Sequence, residues 1–115
     1  MDQQNEGEMM DDRELLEMAA KAAGIDLRWQ DEKPHIGDWL ARKWWNPLTD
    51  DGDALRLAVK LKFSLSIEGN VSLAHNGDGI FEEQAQDFGG DPYAATRRAI
   101  VRAAAELARA GAQKG

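Results

Sequence analysis

The chain has 115 residues, no cysteine and a formal net charge of −7 at pH 7. This length fits one globular domain with its own hydrophobic core. The lack of cysteine excludes disulfide bonds, thiolate metal sites and thiol nucleophiles, and it is typical of a reducing cytosol. The acidic N-terminus and the lack of a long uncharged apolar run predict a cytoplasmic protein without a membrane partner.

The charges are unevenly distributed along the sequence. Residues 63–91 hold six acidic and no basic residues, whereas residues 92–115 hold five basic residues and one acidic residue. Because contacts with phosphate groups need a surplus of lysine and arginine, the negative total argues against general affinity for nucleic acid.

The N-terminal part of the chain predicts a tail followed by a helix. Residues 1–10 are polar without periodicity, so we expect a disordered tail. An apolar stripe at helical spacing predicts a helix at about residues 12–23, capped by Asp11 or Asp12. Gly24 is the expected end of this helix, because glycine readily takes left-handed angles.

Residues 25–47 contain all four tryptophans. We expect a short strand at about residues 27–30 and a turn or exposed loop at 31–34, whereas residues 36–43 could form a strand or a helical turn. We expect at least two of the four tryptophans in the core. Trp44 and Trp45 are adjacent, so in an extended segment they point in opposite directions and one of them is a candidate for exposure.

A second helix follows Pro47, with Thr49 or Asp50 as its cap. We expect its buried side to be formed by Leu55, Ala58, Val59 and Leu61.

The second half of the chain predicts three strands and a closing helix. Alternating apolar residues at 63–67 and 71–75, with turn residues between them, indicate an antiparallel pair. Residues 80–84 are a plausible third strand. Asp91 and Pro92 then begin an amphipathic helix that we expect to end at Gly111.

Together these elements predict a single α+β domain at residues 11–111. Its antiparallel sheet has three or four strands packed with helices, in the order α-(β)-α-β-β-β-α. Residues 112–115 are expected to be a flexible C-terminus.

Two motifs in this sequence resemble a known family. These are the sequence WNPLTD at residues 45–50, leading into an Ala/Leu helix, and the sequence DPYAATRRAI at residues 91–100. They are similar to small phage and prophage proteins of the phage αβα-sandwich (phage ABA sandwich) domain family, over about residues 44–110. The resemblance implies a phage or prophage origin and a sheet packed with helices. It implies no activity and no catalytic or binding residues.

Acidic residues and histidines suggest weak candidates for metal or anion sites. Asp50, Asp51 and Asp53 could bind a divalent cation, but their spacing lacks the long loop of an EF-hand and helix capping explains them. His75 near Asp78 could form a metal or acid–base pair, although a histidine beside a turn is more often simply exposed. The pair Gly89-Gly90 before a helix could hold an anion, but the flanking Asp87 and Asp91 would repel it. We therefore expect no metal and no cofactor.

The candidate contact residues are Trp44 and the arginines of the last helix, Arg97, Arg98, Arg102 and Arg109. Arg98, Arg102 and Arg109 lie within roughly 40° of each other on a helical projection. Such a stripe could contact nucleic acid or an acidic partner, but it is more often the solvated side of an amphipathic helix.

The sequence contains no arrangement of nucleophile and base that predicts an enzyme. We therefore expect a non-enzymatic phage accessory protein that binds a host or phage protein, or a second copy of itself. The alternatives are nucleic-acid binding through the basic face of the last helix, or an acidic mimic of DNA formed by residues 63–91.

Overall fold

The computed structural model describes residues 10–37 and 43–114. Within these residues the chain forms three α-helices and two antiparallel three-stranded sheets, which confirms the predicted α+β class. The elements in chain order are α1 (Asp12–Ala23), β1 (Leu27–Gln30), β2 (Lys33–Ile36), β3 (Lys43–Trp44), α2 (Asp51–Leu61), β4 (Ser64–Glu68), β5 (Val71–His75), β6 (Ile80–Gln84), a 3-10 helix (Ala85–Phe88) and α3 (Pro92–Lys114). Instead of one sheet with a possible fourth strand there are two sheets: β1, β2 and β3 form the first sheet, and β4, β5 and β6 form the second sheet.

The boundaries of α1 follow from local chemistry. The Asp11 carboxylate accepts a hydrogen bond from the Glu14 amide at 2.8 Å, and the Glu14 carboxylate accepts one from the Asp11 amide at 3.1 Å. This reciprocal capping box satisfies two free donors of the first turn. Gly24 ends the helix with a left-handed φ of 70°. The predicted range of 12–23 is confirmed. Met10, which we expected in the tail, packs against the core, and residues 1–9 lie outside the described part of the chain.

Helix α3 is the centre of the core, because α1, α2, β5 and β6 all pack against it. Its buried residues lie on several faces rather than on one stripe: Ala95, Ala99, Ile100, Val101, Ala103, Ala104, Ala105 and Ala108. The small alanine side chains let neighbouring elements approach closely on all these faces. The helix keeps helical geometry through Gly111 and continues to Lys114, so the predicted end at Gly111 was wrong. The flexible C-terminus expected at residues 112–115 stays a prediction. Glycine inside a helix costs only about 1 kcal/mol relative to alanine, so it does not have to end one.

Helix α2 is rotated relative to the prediction. Its buried residues are Asp53, Ala54, Leu57 and Ala58, whereas Leu55 and Val59 are exposed. Of the expected set, Ala58 is buried and Leu61 is partly buried against the core. The stripe that is buried is the one facing α3.

The second sheet confirms the three predicted strands and packs one face against α3. Ser72 and Ala74 are buried on that face. Leu65 and Phe81 pair directly with Ala74 and therefore lie on the same face of the sheet. The alternate residues of each strand point to the opposite face.

The first sheet begins with the hairpin of β1 and β2. The predicted strand at 27–30 is confirmed, but the predicted turn at 31–34 is only two residues long, because β2 begins at Lys33. Of residues 36–43, which the sequence left open, Ile36 ends β2, Lys43 begins β3, and 38–42 lie outside the described residues.

The turn residues of this hairpin, Asp31 and Glu32, have φ values of 53° and 66°, the left-handed pair of angles of a type I′ turn. Leu27, Trp29 and Ile36 pack against the core, and Trp39 lies outside the described residues. In the described ranges, no helix has both the length and the apolar character needed to cross a membrane.

Candidate functional site

Trp44 and Trp45 take opposite environments at the end of β3. The Trp44 side chain is 62% exposed, whereas Trp45 is 4% exposed and belongs to the core. The Trp45 amide donates to the Pro34 carbonyl oxygen at 3.2 Å. Adjacent side chains in an extended segment point to opposite faces, which explains why one ring is exposed and the other is buried. The expected exposure of one of the two tryptophans is confirmed, and Trp44 is the exposed residue.

The turn after Trp45 is held by a buried carboxylate at the start of α2. Asp53, 5% exposed, accepts hydrogen bonds from the Asn46 amide at 2.9 Å and from Arg56 at 2.8 Å. The Asp53 amide donates to the capping carboxylate of Asp50 at 2.8 Å. The backbone that carries Trp44 is therefore connected to the first turn of α2 by hydrogen bonds rather than by apolar packing alone.

A cavity of about 610 Å³ lies beside Trp44, and we name it the Trp44 cleft. The described residues that line it are Gln30, Asp31, Lys33, His35, Lys43 and Trp44. The Lys33 ammonium nitrogen lies 5.7 Å from the centroid of the Trp44 ring, and the His35 ring meets that ring edge-on with centroids 6.1 Å apart. The cleft thus combines an exposed aromatic face with the ammonium groups of two lysines.

His35 is the least exposed residue of the cleft, at 6%. Its Nδ1 atom is buried and has no hydrogen-bond partner among the described residues. An unpaired buried polar atom costs about 1–3 kcal/mol. The sequence did not select His35, because only the pairing of β2 with β3 places it beside Trp44.

A second cavity of about 420 Å³ shares Lys43 and Trp44 with the Trp44 cleft. Its other described residues are Asn46, Thr49, Asp50, Asp53 and Arg56. Two carboxylates and two cations line this cavity, whereas two lysines and one aspartate line the Trp44 cleft. Of the two cavities, the Trp44 cleft is therefore the more basic.

The four arginines proposed as contacts all form ion pairs within the fold. Arg97 bonds to Asp51 at 2.6 Å and to the Leu48 carbonyl oxygen at 2.8 Å. The remaining pairs are Arg98 with Asp12, Arg102 with Glu83 and Arg109 with Glu106. Their side chains are between 17% and 31% exposed. Any partner of these guanidinium groups would have to replace or share these carboxylates.

The structure brings Arg97 to the segment that follows Trp45, but it connects the other three arginines to different elements. Arg98 reaches the start of α1, Arg102 reaches β6 and Arg109 pairs within α3. A helical projection places Arg98, Arg102 and Arg109 on one side of α3, but it does not show which carboxylates pair with them.

The weak metal and anion candidates have structural roles. Asp50 caps α2, Asp51 pairs with Arg97 and Asp53 holds the turn after Trp45. Within the described ranges no group of three or more histidine or acidic side chains could hold a metal ion.

The turns around the other candidates are satisfied by their own side chains. His75 accepts a hydrogen bond from the Gly77 amide through Nδ1 at 3.2 Å. Asp91 accepts one from the Tyr93 amide at 2.9 Å, so its carboxylate occupies the start of α3, where an anion would bind. Both observations favour local turn and capping roles.

Comparison with known proteins gives no further assignment. The predicted membership of the phage αβα-sandwich family stays a prediction. No protein-family model, no curated protein and no solved structure matches this chain.

Proposed function

We propose that this protein is a non-enzymatic accessory protein of a phage or prophage that acts in the host cytoplasm by binding a protein through Trp44. The partner is a host or phage protein, or a second copy of the chain. The observation that carries this proposal is the 62% exposure of the Trp44 side chain at the edge of a cleft. Tryptophan is enriched among the few residues that dominate binding energy at protein interfaces.

Exposure alone does not distinguish Trp44, because Tyr93 is 66% exposed and isolated apolar side chains are common on surfaces. The surroundings of Trp44 are different. Its backbone adjoins the network centred on Asp53, and Lys33 and His35 contact its ring. An aromatic side chain that is already held in place loses less conformational entropy when a partner binds.

The ion pairs on α3 support a contact through Trp44 over one through the arginines. A phosphate group would have to replace or share the carboxylate partner of each of the four arginines. Binding of nucleic acid through α3 therefore remains the less favoured alternative.

A second candidate is the acidic mimic of DNA formed by residues 63–91. Glu83 pairs with Arg102, and no ion pair between described residues involves the other five carboxylates of this segment. A protein that acts in this way would compete with DNA for a basic partner, and reversing the charge of Glu68 and Glu82 would weaken that competition.

Affinity capture from a nuclease-treated bacterial lysate tests the leading proposal. The wild-type protein is compared with Trp44→Ala and with Tyr93→Ala, a matched control that removes another exposed aromatic ring. We expect one retained protein, or a self-associated species in sedimentation experiments, with the wild type and the control but not with Trp44→Ala. Equal recovery with all three proteins, or recovery that disappears on nuclease treatment, would contradict the proposal.

A further inference from the structure

The side chains of the Trp44 cleft define the chemistry of a ligand. Lys33 and Lys43 supply two ammonium groups, and Asp31 is the one carboxylate among the described lining residues. The Trp44 ring supplies an apolar face. The cleft therefore favours a group that is negatively charged at one point and apolar beside it.

This local charge is opposite to that of the whole chain, which is −7. Arg28 is the cross-strand partner of His35, but its guanidinium group donates to Asp26, and this hydrogen bond raises the pKa of Arg28. The carboxylates of Asp50 and Asp53 line the neighbouring cavity instead. Lys33 and Lys43 are thus the cations that an incoming anion would meet in the cleft.

The ring of His35 forms part of the wall of the cleft beside Trp44. In this structure the Nδ1 atom is buried, so a ligand in the cleft meets the rest of the His35 ring rather than this nitrogen.

The size of the cleft limits the ligand to a short segment. Its volume of about 610 Å³ lies within the range of small-molecule sites, roughly 300–1,000 Å³. Single-stranded nucleic acid needs a row of cations that follows its backbone. The arginines of α3 do not supply such a row, because they are paired within the fold.

We propose that the Trp44 cleft binds a short acidic segment of the partner protein, in which an aspartate or glutamate lies next to an aromatic or aliphatic residue. The carboxylate interacts with Lys33 and Lys43, and the apolar side chain packs on Trp44. This inference rests on the proposed function, because it assumes that Trp44 is the protein-contact residue.

Titration of the full-length protein with synthetic capped peptides tests the inference. The first peptide has aspartates on both sides of a phenylalanine, the second has asparagines in those positions, and the third has lysines. Binding is followed by nuclear magnetic resonance, through the Trp44 indole N–H signal, the backbone amide signals of Gln30 and Lys33, and the His35 Nδ1 signal. We expect the acidic peptide to shift these signals and to bind about tenfold more tightly than the asparagine peptide, since charge-assisted hydrogen bonds are stronger than neutral ones.

Charge-reversal variants of the protein test whether the carboxylates of the bound peptide lie beside Lys33 and Lys43. Lys33→Glu and Lys43→Glu should each weaken binding of the acidic peptide about tenfold, which corresponds to one charge-assisted contact. Lys60→Glu, an exposed lysine of α2 that does not line the cleft, is the matched control and should bind like the wild type. Equal effects of all three substitutions would show a general charge effect and would overturn the inference.

Two further outcomes separate this inference from the proposed function. If the asparagine peptide binds as tightly as the acidic one, or if neither binds, the acidic-segment inference fails; loss of a captured partner in Trp44→Ala would then still support the function. If oligothymidylate shifts the cleft signals and the acidic peptide does not, the cleft binds single-stranded nucleic acid instead and the inference is overturned.

Discussion

The hydroxyl groups of Ser72 and Thr96 lie 2.7 Å apart between the central strand of the second sheet and α3. The Thr96 hydroxyl also donates to the Pro92 carbonyl oxygen at 2.8 Å. Because a hydroxyl group has one proton and a carbonyl oxygen can only accept, Ser72 must be the donor to Thr96. Ser72 is buried, so this hydrogen bond from Ser72 to Thr96 lies inside the interface between the second sheet and α3.

The direction of this bond predicts unequal effects of two substitutions. Thr96→Val leaves the buried Ser72 hydroxyl without an acceptor and should lower the free energy of unfolding by about 2 kcal/mol. Ser72→Ala removes the donor but leaves the bond from Thr96 to Pro92, so we expect a loss of about 1 kcal/mol. Urea denaturation of both variants and of the double variant measures these values.

The double variant should lose less than the sum of the single variants, by about 1 kcal/mol, because both substitutions remove the same bond. Additive losses, or a larger loss for Ser72→Ala, would show that the two hydroxyl groups are not coupled in this direction.

The pair of Arg102 and Glu83 predicts that α3 arginines contribute to stability. Both side chains are largely buried, and Arg102 also lies over the Phe81 ring at 5.5 Å. Arg102→Met leaves the Glu83 carboxylate without this partner and should lower the free energy of unfolding by about 2–3 kcal/mol, since breaking a buried pair is costly. Thermal and urea denaturation measure the loss.

Arg28→Met is the matched control, because it breaks an ion pair whose two side chains are mostly exposed. Pairs of this kind contribute little to stability, so this variant should unfold like the wild type.

The contribution of Arg102 to stability also matters for binding experiments. A loss of binding in a charge-reversal variant of Arg102 identifies a contact only if the variant is shown to be folded.

The end of α2 predicts a stabilising substitution. Lys62 adopts a left-handed conformation with φ of 61°, which is unfavourable for a residue with a side chain. Lys62→Gly should therefore raise the free energy of unfolding by about 0.5–1 kcal/mol. Lys60→Gly, inside the same helix, should lower it by about 1 kcal/mol. A destabilised Lys62→Gly variant would show that the lysine side chain makes a favourable contact that outweighs the strain.

The elements with a local signal were predictable from the sequence. The capping box of Asp11 and Glu14, the left-handed Gly24 and the alternation along β4 and β5 each depend on residues a few positions apart. The hairpin of β1 and β2 was predictable only in its first strand and the position of its turn. Its return strand was missed, because the two left-handed residues are Asp31 and Glu32 rather than an Asn-Gly pair. Lys62 likewise ends α2 in a conformation that sequence patterns assign to glycine.

The candidate site was predictable for one residue and not for its neighbours. Adjacent tryptophans in an extended segment made Trp44 a candidate for exposure. Lys33, His35 and Lys43 join it only through the pairing of β2 with β3, which depends on tertiary structure. The same limit applies to α3, since its many alanines conceal which faces are buried and its arginine stripe does not reveal the carboxylates that pair with it.

The opposite environments of Trp44 and Trp45 predict opposite effects of the same substitution. Trp45→Ala removes a buried ring from the core and should lower the free energy of unfolding by about 3–5 kcal/mol. Trp44→Ala removes a ring that is mostly exposed, so its effect on stability should be below about 1 kcal/mol. Urea denaturation, monitored by circular dichroism because fluorescence loses a tryptophan in both variants, measures the difference. Losses of similar size would mean that Trp44 supports the fold of the first sheet, and it would then no longer be a residue free to bind a partner.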